Sequence, residues 1–297
     1  MPINKSSLAA AALISASCIA AAHADVLDRV KSSGQFKIGF RESSVPFAYR
    51  DQNEKPVGFS VDLCRAVADR LKQTLNLPKL EVKYVPVGSA NRIPLMKSGS
   101  IDIECGSTGI NSARKQQVDF SVAVYVTNTQ WMVKNSSGFK NAQQLKGQQV
   151  VLTQGSNVVK YAKQANERDH LNLKMVFAHD HAESMLMLST GRASAFMEDD
   201  VLLAAQRANS SDPQGYSLLP EVYSRHAYGL MLPKGDAAFK KVVDATITDM
   251  MASGKFMALY EKWFQGPIPP RGANLNIAPS EALKGRIAHP SDAVFEE

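Results

Sequence analysis

At 297 residues, 44% of them apolar, the chain is long enough for one large or two medium domains around a sizeable buried core. Its formal charge of +6 is dispersed, which argues against nucleic acid as a partner and is compatible with a mildly basic surface that steers anions. No low-complexity tract or nucleotide-binding repeat interrupts it.

At the N-terminus, Lys5 is the only charge before the small-residue, apolar run 8–22, and Ala22-His23-Ala24 offers a small-x-small cleavage site. This is the layout of a secretory signal peptide over residues 1–24 and predicts a mature chain exported to the periplasm, starting at Asp25. The run is too short and alanine-rich for a membrane span, and no later segment qualifies. Lipidation at Cys18 is disfavoured by Ser15, which stands where a leucine-like residue is usual. Export permits a disulfide between the remaining cysteines, Cys64 and Cys105, although two buried free thiols satisfy the sequence equally well.

Past the leader, short apolar strands alternate with polar loops and helical stretches. Residues 36–40 read as a strand leading into Arg41-Glu42-Ser43-Ser44. Cys64, Val67, Ala68 and Leu71 recur at i, i+3, i+4 and i+7, one face of a helix starting near Val61. Residues 81–87 alternate as a strand and lead to Gly88-Ser89-Ala90-Asn91-Arg92. Ile93, Leu95 and Met96 then open a short helix that Gly99 closes. Residues 101–104 form the next strand, and a long extended region, 118–133, follows. The alternation then resumes. Strand 150–153 leads to Gln154-Gly155-Ser156-Asn157 and a helix through Tyr161. Strand 173–177 leads to His179-Asp180-His181 and a helix bearing Met185, Leu186 and Leu188. Strand 193–197 leads to Glu198-Asp199-Asp200 and a helix from Val201.

Such alternation predicts an α/β protein with mostly parallel sheets flanked by helices, whose ligands sit beyond the carboxyl ends of the strands. The two series read as two lobes, 25–126 with 225–297 and 127–224. Residues 228–232 read as a strand returning to the first lobe. Helices over 237–253 and 256–264 follow, then a loop-rich tail from Gly266 onward. Two lobes joined by two extended crossings permit hinge closure over a cleft.

Nearly every predicted strand ends in a polar or charged group. Most informative is Cys105-Gly106-Ser107-Thr108-Gly109-Ile110-Asn111-Ser112-Ala113-Arg114, where hydroxyls and exposed amides at a strand end stand a short loop from an arginine. A guanidinium fork holds both oxygens of a carboxylate while neutral donors take the remaining lone pairs. Arg41, Ser89 with Arg92, Ser156 with Asn157, His181 and Asp199 occupy equivalent positions. His179 and His181 lack a matched third ligand, so neither a metal nor a cofactor is expected. One of Asp199 and Asp200 is expected to cap a helix and Asp199 to face the ligand. Phe47, Tyr49 and Phe59 serve either the core or a ligand-stacking wall.

Val118-Asp119-Phe120-Ser121 and Gly58-Phe59-Ser60-Val61-Asp62-Leu63 resemble segments of the polar amino-acid periplasmic solute-binding proteins of ABC importers. Other stretches look more narrowly like the glutamate/aspartate-binding members: Arg41-Glu42-Ser43-Ser44-Val45-Pro46-Phe47, Asn91-Arg92-Ile93-Pro94-Leu95, Glu104-Cys105-Gly106-Ser107-Thr108 and Asp180-His181. Gly191-Arg192-Ala193, Ala195-Phe196-Met197, Asp199-Asp200, Trp263-Phe264 and Pro267-Ile268-Pro269-Pro270 extend the likeness over the whole mature chain.

The resemblance implies a two-lobed, Venus-flytrap periplasmic-binding fold. It also implies a monomeric receptor for L-glutamate or L-aspartate that delivers its ligand to a transmembrane permease. Arg114 and Ser107 would hold the α-carboxylate and Asp199 the α-ammonium, while Arg41, Ser89, Arg92 and His181 would recognise the side-chain carboxylate. Two departures stand out. The family has ligand-contacting threonines where this chain has Gly109, which offers only backbone groups, and Asn157, which offers an amide.

Converging arginines resist burial unless negative charge compensates them, so a small dianion suits such a cleft and a neutral amino acid leaves a guanidinium unpaired. A binding protein, not an enzyme, is the reading this supports. The alternatives are a dehydratase acting on a carboxylated cyclohexadiene on the same scaffold, with Glu42, Glu198 or His181 as general acid, and a ligand sensor that docks on a signalling receptor.

Overall fold

The computed structural model describes residues 25–295, so the expected leader and Cys18 lie outside the described residues. The first lobe is built on a five-stranded sheet in the order Glu81–Pro86, Gln35–Phe40, Ile103–Cys105, Met231–Leu232, Asp119–Phe120. Gln35–Phe40 runs parallel to both of its neighbours, whereas Met231–Leu232 is antiparallel to the strands beside it. Against this sheet the helix Phe59–Thr74 buries Phe59, Leu63, Cys64, Val67 and Leu71, the face its periodicity predicted. Cys64 on that helix is joined by a disulfide to Cys105 at the end of Ile103–Cys105, with Cα atoms 6.3 Å apart.

The second sheet runs Lys174–Ala178, Gln149–Thr153, Ala195–Asp199, Tyr125–Lys134, Tyr216–Leu218, and Ser224–Tyr228 also pairs with Tyr125–Lys134. The first three strands are parallel, and the long strand Tyr125–Lys134 is antiparallel to its partners. Both faces are covered. Val150, Leu152, Ala195, Met197, Trp131 and Val133 pack on one side, and Val151, Phe196 and Met132 on the other. That is the period-two alternation of strands buried on both faces, and it explains their nearly continuous apolar sequence.

Several sequence expectations need adjustment. The extended region 118–133 is two strands separated by residues 121–124, because Leu230 N donates to Ser121 Oγ and Val122 N to Asp244 Oδ1 instead of continuing a ladder. Residues 228–232 likewise split. Tyr228 closes a strand on Tyr125–Lys134, and only Met231–Leu232 joins the first sheet. The strand expected to end at Met197 runs on to Asp199. Of the apolar residues noted on the helix His181–Ser189, Met185 and Leu188 are buried and Leu186 is 56% exposed.

The tail is not loop throughout. Ser280 caps a helix, Glu281–Ala288, by accepting from Leu283 N. Beyond it Ser291 O accepts from Ala123 N, and Asp292 pairs with Lys115 at 3.2 Å and Lys240 at 3.3 Å, tying the tail to the first lobe.

Phe47, Tyr49 and Phe59 are core residues. Phe47 meets Tyr125, Tyr228 and Phe264 edge-on at 5.0–5.4 Å, and Tyr260 stacks on Phe264 at 4.4 Å. Edge-to-face pairs of this kind add about 0.5–1.5 kcal/mol each beyond their burial. The cluster packs around Tyr125 and Tyr228, which are paired at the ends of two antiparallel strands of the second sheet. Among the described residues no helix is long and apolar enough to cross a membrane.

Candidate functional site

Arg41 follows the strand Gln35–Phe40, Arg92 opens the helix Arg92–Lys97, and Arg114 lies in the short helix Ser112–Lys115. All three are buried, at 2%, 2% and 8% exposure. They share one neighbourhood. Arg41 and Arg114 each lie within electrostatic reach of Arg92, and all three feel Glu104 and Glu198.

Burial first, and then repulsion from Arg92, depresses Arg41 to about 10 and Arg114 to about 9. Burial also lowers Arg92, against the pull of Glu104, Glu198 and Asp199. The guanidiniums stay cationic at neutral pH, and the depression records incomplete compensation of their charge. Arg114 donates to Gly109 O at 2.9 Å and to Gly155 O at 3.3 Å. Among the described residues Arg92 Nε and Nη1 have no hydrogen-bond partner, nor do the hydroxyls of Ser43, Ser44, Ser89 and Ser107 or Glu104 Oε1. Unsatisfied buried donors and acceptors are rare in folded proteins and concentrate where a ligand completes them.

The second lobe contributes Gly155, Asn157, His181 and Asp199. Arg41 Nη2 lies 3.4 Å from His181 Nε2. A guanidinium can only donate, so Nε2 accepts and the ring proton sits on Nδ1. Nδ1 is 3.1 Å from Thr153 Oγ1 and 3.3 Å from Glu198 Oε2. Burial, Arg41 and Arg92 hold His181 well below its usual pKa, which agrees with a neutral ring. Both of its nitrogens are therefore engaged by protein groups. His181 orients Arg41 in this arrangement and does not present a free N–H.

The expected side-chain cap is not made: Asp199 stands at the N-cap position without one, and Asp200, the first residue of the helix Asp200–Ala208, accepts from Val201 N, Thr127 Oγ1 and Asn128 Nδ2. Asp199 turns inward. Burial opposes its ionisation, but His226, Tyr228 and Thr129 outweigh this and hold the carboxyl below its ordinary range. Thr129 Oγ1 donates to Oδ1 at 2.9 Å, His226 Nε2 donates to Oδ2 at 3.1 Å, and the Tyr228 hydroxyl also donates to Oδ2. Strand register builds this: Thr129 stands opposite Asp199 on one side and Ser224 on the other.

Glu198 is also buried. Its Oε1 accepts from Ser156 Oγ and Asp199 N, both at 3.2 Å. Burial and then the adjacent Asp199 charge push its carboxyl up to about 8. Glu42, by contrast, is an exposed ion-pair partner of Arg50 at 2.6 Å.

The structure brings Arg41, Arg92, Gly109, Arg114, Asn157, His181 and Asp199 into one neighbourhood between the lobes, and it buries Ser89 and Ser107 with unpartnered hydroxyls. The sequence reading missed Glu104, His226, Tyr228 and Thr129. The two departures from the family pattern share a neighbour: a Cβ on Gly109 would lie 2.9 Å from His226 Cδ2, and Asn157 Nδ2 is 3.3 Å from His226 Nε2. The small residue at 109 leaves the space that the His226 ring fills.

Residues 36–266 match the bacterial extracellular solute-binding proteins, family 3. The chain is 43% identical over 288 residues to the L-glutamate/L-aspartate-binding protein of Pseudomonas aeruginosa, spanning 97% of this chain and 95% of that protein. It is 39% identical over 282 residues to the glutamate/aspartate import solute-binding protein of Escherichia coli, spanning 95% and 93%. A crystal structure of a mutant ArgBP from T. maritima matches with a TM-score of 0.71 at 27% identity, over 80% of this chain and 98% of that one.

Proposed function

Because this chain belongs to the bacterial extracellular solute-binding proteins of family 3, we propose that it captures L-glutamate and L-aspartate outside the cytoplasm and hands them to the permease of an ABC importer. The observation that carries the reading is the convergence of Arg41, Arg92 and Arg114, buried and from separate loops, on a neighbourhood whose own carboxylates compensate them only in part. Their positive charges face the carboxylates of Glu104 and Asp199, while Glu198 is held toward its neutral form. The balance left over is one positive charge, which an acidic amino acid, with two carboxylates and one ammonium, cancels. Its amides bring no net charge and leave a buried guanidinium uncompensated.

In this proposal Arg114 and Ser107 hold the α-carboxylate with the backbone at Gly109, Asp199 takes the α-ammonium, and Asn157 lies beside that group. Arg41, Ser89 and Arg92 hold the distal carboxylate, with His181 orienting Arg41. Residues 1–24 act as a cleaved leader that delivers the chain to the periplasm. The lobes are residues 25–126 with 225–297 and residues 127–224, and they close about the crossings near 126 and 225. The chain works by stoichiometric binding, without turnover.

Calorimetric titration with glutamate, aspartate, glutamine, asparagine and keto-acids tests the ligand class. Stronger binding of the amides than of the acids overturns it. Arg92→Ala is expected to weaken glutamate and aspartate by about 1–3 kcal/mol, the cost of an unsatisfied charged hydrogen bond, and to narrow their advantage over the amides. Equal losses for acids and amides would indicate damaged folding. A second reading, a dehydratase on this scaffold, draws on the buried, proton-holding carboxyl of Glu198. Mass spectrometry of the ligands after incubation decides between them: recovered unchanged, they support the receptor, and conversion overturns it.

A further inference from the structure

We propose that Glu198 is a specificity-determining residue that enters the closed cleft carrying a proton and donates it as a hydrogen bond to the distal carboxylate of the ligand. The inference rests on the reading above of an acidic amino-acid ligand and adds a proton to its binding.

Glu198 lies on the inner side of Ala195–Asp199 at 1% exposure. Its two oxygens differ. Oε1 is saturated by the Ser156 hydroxyl and the Asp199 amide. Oε2 has no hydrogen-bond partner, and the nearest polar group is His181 Nδ1 at 3.3 Å, which lies closer to Thr153 Oγ1 at 3.1 Å. A proton on Oε2 therefore lacks an acceptor among the described residues, and a guest carboxylate between Arg41 and Arg92 supplies one.

Burial first, and then the adjacent Asp199 charge, favour that proton, and they outweigh the opposing pull of Arg41. On its own strand Glu198 adjoins Asp199. From the preceding helix it faces neutral His181, and from the first lobe the charges of Arg41, Arg92 and Arg114 reach it and oppose the proton. Tyr228 and Glu104 share the neighbourhood, and Asp180 acts on Arg41 from the entrance. A dianionic ligand adds negative charge to this set, which stabilises the protonated carboxyl further.

In an open, wet cleft Glu198 ionises near the ordinary carboxylate range. Closure around glutamate then takes a proton from solvent, and affinity falls as pH rises. Glutamine differs. Its amide N–H donates to an ionised Glu198, and no proton is taken up.

The test is calorimetry of the mature chain with glutamate and with glutamine at pH 6 to 9, in buffers of different ionisation enthalpy. We expect uptake of about one proton per glutamate at neutral pH and affinity falling by up to about tenfold per pH unit. Glu198→Gln donates through its amide, so glutamate binding is expected to stay tight, with neither proton uptake nor pH dependence. Glu198→Leu, if folded, removes donor and proton together and is expected to weaken glutamate without pH dependence. Glutamate binding by the unaltered chain without proton uptake overturns the inference and leaves the receptor reading standing. Failure of the unaltered chain to bind glutamate at any of these pH values overturns the receptor reading itself.

Discussion

Arg114→Ala is expected to weaken every amino-acid ligand by about 2–5 kcal/mol, or roughly 30-fold to several thousand-fold, the range for removing one partner of a buried, hydrogen-bonded charge pair. The size of the effect follows from how the side chain is held. Asn111 caps the short helix by accepting from Arg114 N at 2.9 Å, which fixes where the side chain starts. Gly109 O then takes Nη1, and Gly155 O takes Nη2 from across the cleft. The remaining donors are free for the α-carboxylate that all amino acids share, so acids and amides should lose in parallel. Lysine should restore little, because a point charge cannot reproduce the fork. Wild-type affinity for glutamate in Arg114→Ala, measured by calorimetry on protein with an unchanged thermal transition, would remove Arg114 from the site.

The second large effect concerns stability. Cys64 and Cys105 are 41 positions apart in sequence, and a loop of that size corresponds to about 4 kcal/mol of unfolded-state entropy in the chain-entropy treatment. At about 2–4 °C per kcal/mol for proteins of this size class, Cys64→Ala with Cys105→Ala should lower Tm by roughly 10 °C. Reductant should do the same to the unaltered chain and leave the double variant unaffected. The bond also pins the residue two before Ser107, so ligand affinity should fall along with Tm. A Tm indifferent to both treatments would show that the bridge adds no stability.

The skeleton of the site was legible because its residues follow strand ends, where an α/β fold gathers loops. Arg41, Arg92, Arg114 and Asp199 could be picked out that way from one sequence. Glu104 could not, because its position inside an apolar strand reads as alternation. His226, Tyr228 and Thr129 lie on strands whose pairing partners are distant in the chain. Only the register that sets Thr129 between Asp199 and Ser224 brings them to the Asp199 carboxylate. The contact of His181 with Arg41 could not be read from the sequence either, since it joins side chains 140 positions apart across the two lobes. The helix Glu281–Ala288 escaped notice because it buries only Leu283 and so lacks an apolar stripe.

Gly155, whose carbonyl receives Arg114, has one more consequence. A methyl group on its α-carbon would stand 2.6 Å from the Ala90 backbone and 2.7 Å from the Ser89 carbonyl carbon. The two halves are therefore machined to the width of a hydrogen atom at this point, and any larger residue would act as a doorstop. What amino acid the loop tolerates there is dictated by the opposing jaw as well as by the loop's own turn, which holds Gly155 at a φ of 78° that favours glycine. Drift in either jaw must be matched by the other if the protein is still to latch.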